Sequence, residues 1–334
     1  MGSRIFCLLA LPSPESLLSG KDGKIHLYRE AAQSGPNMPE AKPQPLLEPQ
    51  FLTRLEQLEI ASRKIFTGRM KGERLSRRKG QSVEFADYRN YVVGDDLRFL
   101  DWNLFGRLDR LFIRLFLEEE DLHFYILIDN SLSMNFGSPT KLHYAKQVAA
   151  ALGFVGLVNM DRVMVEAFND RIVQSMPAAR GRRSMWRLME FLEKLEPAGP
   201  SDLARSLRTF SLKCSGKGVV VLISDFMDKG GYDEALRYLI ARQLDVYVLQ
   251  ILSQEEIEPK IVGDLKLVDA EDDDVAEVTV SAALLNRYKK NLNAFRSRLA
   301  DFCNRRGVSY LFTSNQVPFE RLIFSYLRQR GLLR

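Results

Sequence analysis

Residues 124–133 read FYILIDNSLS, an uninterrupted apolar run that ends in an aspartate and is followed by two serines at alternate positions. Such a run is typical of a strand that is buried on both faces of a sheet. A second run, GVVVLIS at 218–224, is followed directly by Asp225. Because ligands of open α/β sheets bind beyond the carboxyl ends of the strands, the residues after these two runs are the first candidates for function.

The segments around these two runs alternate between helical and strand patterns. A helix is predicted at 141–159, two strands joined by a tight turn at 162–169 and 171–178, and further helices at 184–195 and 202–214. Alternation of this kind indicates a sheet with helices on both faces. The predicted fold class is therefore α/β, with a doubly wound, mostly parallel, Rossmann-like sheet.

Composition divides the chain into three parts. Residues 1–48 are rich in Pro, Ser, Gly and Gln, so we interpret them as a disordered extension or as a spurious one, with Met38 as an alternative start. Residues 49–120 are predicted to form a small mixed α/β subdomain. Residues 121–334 are predicted to form the main domain, with a hairpin inserted at about 261–280.

Charge and cysteine usage exclude several classes of site. The 334 residues have a formal net charge of +5, three scattered cysteines and three histidines that form no HExxH pattern. A thiolate zinc site is therefore not expected, and scattered cysteines favour a reducing, cytoplasmic location. No apolar stretch approaches the roughly 20 residues of a spanning helix, so we expect no integral membrane segment.

Five polar residues in three loops are the candidate metal ligands. Asp129, Ser131 and Ser133 follow the first apolar strand, Ser201 precedes a predicted helix, and Asp225 follows the second apolar strand. Hydroxyl and carboxylate oxygens suit a hard cation, so we predict Mg²⁺ (or Mn²⁺ or Ca²⁺). A site with few direct carboxylates leaves the cation able to bind an acidic residue from a partner protein.

The string DNSLSM at 129–134 resembles the metal-ion-dependent adhesion site, or MIDAS, of von Willebrand factor A (vWA) domains. In that family a DxSxS motif acts with a threonine from a second loop and an aspartate from a third. Here Ser201 stands at the threonine position, and Asp225 stands at the position of the third-loop aspartate. The resemblance implies a metal-dependent protein–protein interaction module, and we do not expect an enzyme.

The upstream stretch SVEFADYRNYVVGDDLRFLDWNLFGRLDRLFIRLF, at 82–116, is similar to the signature region of the domain of unknown function 58 family. This second resemblance implies a cytoplasmic protein with a vWA core. It also implies a MoxR-type AAA+ ATPase as the partner, in a chaperone-like or complex-maturation role. Within this stretch we expect the acidic residues to pair with arginines and the tryptophan to be buried, namely Asp95, Asp96, Asp101, Arg89, Arg98 and Trp102.

Two alternatives remain from the sequence. The basic loop at 69–79 could contact nucleic acid, although the modest net charge favours a solvated or partner-facing loop. A metal-dependent hydrolase is the other alternative. A common strand-end phosphotransfer site has the form DxDxT, and here Ser131 replaces its second acid, so the general acid is missing.

Overall fold

The computed structural model describes residues 46–60, 84–117, 122–214, 218–242, 244–259, 263–268, 275–329 and 331–333. The chain forms two compact units. The larger unit contains Met1–Met70 and His123–Arg334, and the smaller unit is Lys71–Leu122. The basic loop at 69–79, the extension at 1–45 and Met38 lie outside the described residues.

The described residues contain ten strands, which lie in three sheets. Their bounds are β1 Glu84–Asn90, β2 Phe112–Leu117, β3 His123–Asp129, β4 Arg162–Phe168, β5 Ile172–Ala179, β6 Gly218–Ser224, β7 Leu244–Leu252, β8 Gly263–Val268, β9 Val275–Val280 and β10 Ser309–Ser314.

The α-helices of the described residues range from three to 24 residues. Their bounds are α1 Pro49–Leu55, α2 Trp102–Leu108, α3 Lys141–Val158, α4 Met185–Glu193, α5 Leu203–Lys213, α6 Asp233–Ile240, α7 Gln254–Ile257, α8 Ala282–Arg305 and α9 Phe319–Arg321. Single-turn 3₁₀ segments lie at Leu97–Phe99, Leu132–Met134 and Arg182–Ser184, and a wider π-type turn at Leu322–Leu327 continues α9.

The central sheet of the larger unit has six strands in the order β10-β7-β6-β3-β4-β5. Every neighbouring pair is parallel except β4 and β5, which are antiparallel at one edge. The predicted fold class, a doubly wound and mostly parallel sheet, is confirmed. From β3 the chain moves outward through β4 on one side and later through β6 on the other, so the order of the strands reverses between β3 and β6.

The two apolar runs form the centre of this sheet because they can be buried on both faces. All seven residues of β6 are buried, as are six of the seven in β3. Helix α3 is also buried over most of its surface, and Thr140 caps its start by accepting a hydrogen bond from the His143 amide (3.1 Å). These elements place the ends of β3 and β6 side by side.

The first helix packs with the larger unit. The Phe51 ring of α1 contacts the rings of Phe319 and Phe324 edge-on, at centroid distances of 5.0 and 5.5 Å. The Asn159 side chain donates to the Leu58 carbonyl (2.7 Å). Helix α1, which lies within the range 49–120 predicted for the small subdomain, therefore packs with the larger unit.

Two antiparallel pairs stand outside the central sheet. Strands β8 and β9 pair in the region where the sequence indicated a hairpin insertion at about 261–280. Strands β1 and β2 pair within the smaller unit, with an irregularity between Phe85 and Asp87. Among the described residues, no helix has both the length and the apolar content required to cross a bilayer.

Candidate functional site

The first candidate loop begins at Asp129, the last residue of β3, and Asp129 is completely buried. One carboxylate oxygen, Oδ1, accepts a hydrogen bond from the Ser131 amide at 3.0 Å. The other, Oδ2, accepts from the Ser224 hydroxyl at the end of β6, at 2.6 Å. Asp129 therefore shapes the DxSxS loop and links it to the neighbouring strand.

The hydroxyl groups of Ser131 and Ser133 converge. Both serines are buried, and their Oγ atoms lie 2.9 Å apart. The 3₁₀ turn at Leu132–Met134 brings them together, since the chain folds back within three residues. Two oxygen ligands at right angles around Mg²⁺, each at about 2.0–2.1 Å, would be separated by about 2.9 Å. The distance is that of a hydrogen bond between the two hydroxyls, and it is also short enough for both oxygens to bind one cation.

The second candidate loop is fastened to the first by backbone hydrogen bonds. The Leu132 amide donates to the Gly199 carbonyl (3.0 Å), and the Ala198 amide donates to the Asn130 carbonyl (2.9 Å). The Asn130 side chain donates to the Glu196 carbonyl at 2.6 Å. Ser201 follows within two residues of Gly199, and its hydroxyl oxygen is buried.

The third candidate loop begins at Asp225, which is completely buried. Its Oδ1 atom accepts a hydrogen bond from the Met227 amide at 3.0 Å. Phe226 has a φ of +60°, and its amide donates to the Ser224 hydroxyl (2.9 Å), so the chain turns sharply after β6. Ser224 thus contacts both Asp129 and the turn that contains Asp225. All three candidate loops meet at the carboxyl ends of β3 and β6, where the strand order reverses.

Two charged residues of this region were missed by sequence reasoning. The Nζ atom of Lys141, the first residue of α3, lies 2.8 Å from Asp225 Oδ2 and 2.7 Å from Glu256 Oε1. The Lys141 side chain is 0% exposed. Asp225 is therefore engaged by an ammonium group as well as by a backbone amide.

The sequence around Glu256 contains a helix-capping pattern that predicts its position. Ser253 and Glu256 form a capping box at the start of α7, which is the S-x-x-E pattern of a helix N-terminus. The Glu256 Oε2 atom accepts from the Ser253 amide at 2.8 Å, and this leaves Oε1 facing Lys141. The Tyr288 hydroxyl donates to the Glu256 carbonyl at 2.6 Å, and burial, followed by the charge of Glu256, raises the pKa of that hydroxyl.

The smaller unit confirms two of the expected acid–arginine pairs and contradicts one expectation. Asp95 pairs with Arg89 and Asp96 with Arg98, at 2.7 and 2.6 Å. The third aspartate, Asp101, instead contacts Arg114 (3.3 Å) and accepts from the Tyr88 hydroxyl (3.0 Å), and it caps α2.

The prediction that Trp102 is buried is wrong. Trp102, the first residue of the short helix α2, is 62% exposed, and its ring packs edge-on against Phe105 at 6.3 Å. It belongs to a group of seven large apolar side chains that are exposed in this unit. We call this group the apolar surface 92–108: Val92, Val93, Leu97, Phe99, Trp102, Phe105 and Leu108. Exposed apolar clusters of this kind mark interaction surfaces.

A family model described as "Protein of unknown function DUF58" matches residues 87–298, which is more than half of the chain. The chain belongs to the DUF58 family. The match covers part of the smaller unit and all three candidate loops. The family's expected vWA-like core is also confirmed, since the DUF58 chain has a doubly wound six-stranded sheet with one antiparallel edge strand.

The chain is also similar to proteins that are described as uncharacterized and to several solved structures. Uncharacterized proteins of Mycobacterium bovis and Mycobacterium tuberculosis are 27% identical over 293 residues, which is 86% of this chain and 92% of theirs. Among solved structures, the conserved hypothetical protein BatB from Bacteroides thetaiotaomicron is 15% identical, with a TM-score of 0.41 over 63% of this chain and 98% of its own. The SpRpn10 VWA domain is 11% identical, with a TM-score of 0.34 over 60% of this chain and 91% of its own.

Proposed function

We propose that this DUF58 protein is a metal-ion-dependent protein–protein interaction module. The observation that supports the proposal best is the 2.9 Å separation of the Ser131 and Ser133 hydroxyl oxygens at the point where the strand order reverses. These two hydroxyls and that of Ser201 are the proposed direct ligands. The carboxylates of Asp129 and Asp225 balance the charge of the cation. Hydrogen bonds from protein donors hold both carboxylates in place.

The ligand types suit a hard cation, since hydroxyl and carboxylate oxygens bind Mg²⁺, Mn²⁺ or Ca²⁺. A ligand set of three hydroxyls leaves the cation with strong affinity for a further anionic oxygen. An Asp or Glu from a partner protein would supply that oxygen when the cation is bound.

The apolar surface 92–108 also supports a protein partner. Two of its neighbouring arginines, Arg89 and Arg98, are already paired with aspartates of the same unit. The charges of these two arginines are therefore compensated, and seven exposed apolar side chains suit a protein partner better than a polyanion. From the family resemblance, we propose a MoxR-type AAA+ ATPase as that partner, in a chaperone-like or complex-maturation role.

Calorimetric melting with and without magnesium tests the metal site. We expect Mg²⁺ at about ten times its Kd to stabilise the chelator-treated protein by about 1.4 kcal/mol, or about 2 °C in Tm. The double variant Ser131→Ala/Ser133→Ala should lose this shift. Ser211→Ala should keep it, because the equally buried Ser211 hydroxyl donates to the Arg208 carbonyl, outside the candidate loops. A parent protein whose Tm does not respond to Mg²⁺ would contradict the proposal.

Partner capture tests the second half of the proposal. The full chain is immobilised and incubated with the MoxR-type ATPase in the presence of Mg²⁺ or of a chelator. We expect the ATPase to be retained with Mg²⁺ and released by the chelator. Retention that is equal in both conditions would contradict metal-dependent recognition.

A further inference from the structure

The buried Lys141 side chain lies directly beside the candidate metal site. It is 0% exposed, and its ammonium group contacts Asp225 at 2.8 Å and Glu256 at 2.7 Å. A buried ammonium persists only where carboxylates or other acceptors compensate its lost hydration. The group is therefore a fixed positive charge within the structure, in contact with one of the residues that would balance a bound cation.

The remaining contacts of the two carboxylates show how Lys141 is held. Asp225 Oδ1 accepts from the Met227 amide, and Glu256 Oε2 accepts from the Ser253 amide. Each carboxylate thus has one oxygen on a backbone amide and the other on Lys141. The three charged residues come from the start of α3, the end of β6 and the start of α7. Their positions depend on the packed core and not on a flexible surface loop.

We propose that the Lys141 ammonium is an internal counter-cation that competes with a divalent cation for the carboxylate of Asp225, and so keeps the metal affinity of the site low. The inference rests on the proposed function, since it concerns the same site. Two positive charges near one carboxylate repel each other strongly where water is excluded. With Lys141 in place, Asp225 compensates less of the charge of a bound cation.

Glu256 offers the Lys141 ammonium a second carboxylate when a cation binds Asp225. Because Glu256 also contacts Lys141, the ammonium can shift toward Glu256 and away from Asp225 without losing all of its compensation. Binding of a divalent cation would then move the Lys141 ammonium toward Glu256. The proposal therefore predicts that metal binding is detected at the Lys141 ammonium itself.

The test is a calorimetric titration of Mn²⁺ into the full chain and three variants. The double variant Lys141→Met/Glu256→Gln removes one positive and one negative charge, so it releases Asp225 without changing the net charge. We expect it to bind Mn²⁺ at least tenfold more tightly than the parent. Glu256→Gln alone and Lys141→Arg keep a cation on Asp225, and we expect both to bind within threefold of the parent.

The outcomes separate the two proposals. If the parent binds Mn²⁺ and the folded double variant binds it no more tightly, the role of Lys141 is wrong and the metal site stands. If no protein in the series binds Mn²⁺, both proposals fail.

A measurement on the parent covers the case in which the double variant does not fold. With ¹⁵N-labelled lysine, the Nζ resonance of Lys141, assigned by its loss in Lys141→Arg, should shift on saturation with Mg²⁺. The resonance of Lys194, which pairs with Glu190 on the surface, is the control and should not move. An unchanged Lys141 resonance in a magnesium-saturated protein would overturn the competition.

Discussion

Single residues in this protein show how burial determines the role of a charged group. Lys141 and Asp225 are both completely buried, and they lie within hydrogen-bond distance of each other. Replacing one member of such a pair leaves an uncompensated charge in the interior, which typically costs about 3–5 kcal/mol. The double variant Lys141→Met/Glu256→Gln keeps the net charge of this cluster, but it still leaves Asp225 without its ammonium, so the resonance measurement on the parent protein accompanies it.

Glu166 is a buried carboxylate of a different kind. It lies on β4, where Ser175 donates to one of its oxygens at 3.3 Å, while no described residue donates to the other. Burial raises the pKa of Glu166 above its ordinary value of 4.5, although the charge of Lys213 and the Ser175 hydrogen bond lower it. The ionised form is therefore less favourable in the folded protein than in the unfolded chain.

This shift gives a pH-dependent prediction. A raised folded-state pKa contributes stability that is fully present below about pH 4.5 and is lost as the pH rises through the folded-state value. We therefore expect Glu166→Gln to gain stability relative to the parent between pH 4 and pH 7. Urea denaturation of both proteins at the two pH values measures the difference. A stability gain of Glu166→Gln that is the same at pH 4 and pH 7, or larger at pH 4, would contradict a raised pKa of Glu166.

At the scale of elements, the pairing of β3 with β6 determines where Asp129 and Asp225 lie, since Asp129 ends β3 and Asp225 follows β6. Gly218 begins β6, and a Cβ atom at that position would lie 2.0 Å from the His123 backbone carbonyl oxygen on β3. Backbone atoms in the centre of a sheet cannot move aside for a methyl group. The glycine therefore permits the strand pairing on which the neighbouring ends of β3 and β6 depend.

Substitution of glycine by alanine tests this packing. We expect Gly218→Ala to lower the free energy of unfolding by about 1–3 kcal/mol, through overpacking between strands. Gly106→Ala is the control, because a Cβ atom there meets nothing within 4 Å and alanine favours the helix by about 0.5–1 kcal/mol. Chemical denaturation measures the first change, and amide hydrogen exchange in α2 measures the second. A neutral Gly218→Ala would show that the two strands can separate at that end.

At the scale of the whole molecule, the two units contribute different chemistry. The larger unit contains the candidate metal loops, and the smaller unit contains the apolar surface 92–108. Seven of the large apolar residues that are exposed in the described part of the chain lie in this one stretch. Exposed apolar residues that are concentrated in one stretch are typical of interaction surfaces, and this concentration is the basis of the proposed partner contact.

The two tryptophans allow a matched test of this surface. Trp102 lies within it, whereas Trp186 lies on α4 of the larger unit, and their exposed fractions are 62% and 61%. We expect Trp102→Ser to reduce retention of the MoxR-type ATPase at least tenfold, because exposed tryptophans are frequent binding hot spots. Trp186→Ser should leave retention unchanged, and both variants should keep the parent Tm. Equal loss in the two variants, or no loss in Trp102→Ser, would argue against the apolar surface 92–108.

Local patterns were sufficient for much of the fold. The apolar runs at 124–129 and 218–224 indicated central strands, since short, continuous apolar runs rich in β-branched residues are typical of strands covered on both faces. The periodic helices between them indicated the doubly wound sheet, and the DxSxS string marked the loop after β3. Each of these signals lies within a few consecutive residues, where side-chain pattern and backbone conformation are directly linked.

Only the tertiary structure showed which charged side chains are buried together. Lys141 and Glu256 are separated by 115 positions, and Lys141 and Asp225 by 84, so no local pattern links them. The exposure of Trp102 likewise depends on what the rest of the chain leaves uncovered, which the composition of α2 does not specify. The sequence by itself determined the sheet and the loops that could hold a cation. The chain's packing determined that a lysine from within the fold reaches the same aspartate, because burial and long-range charge pairing arise only when distant segments come into contact.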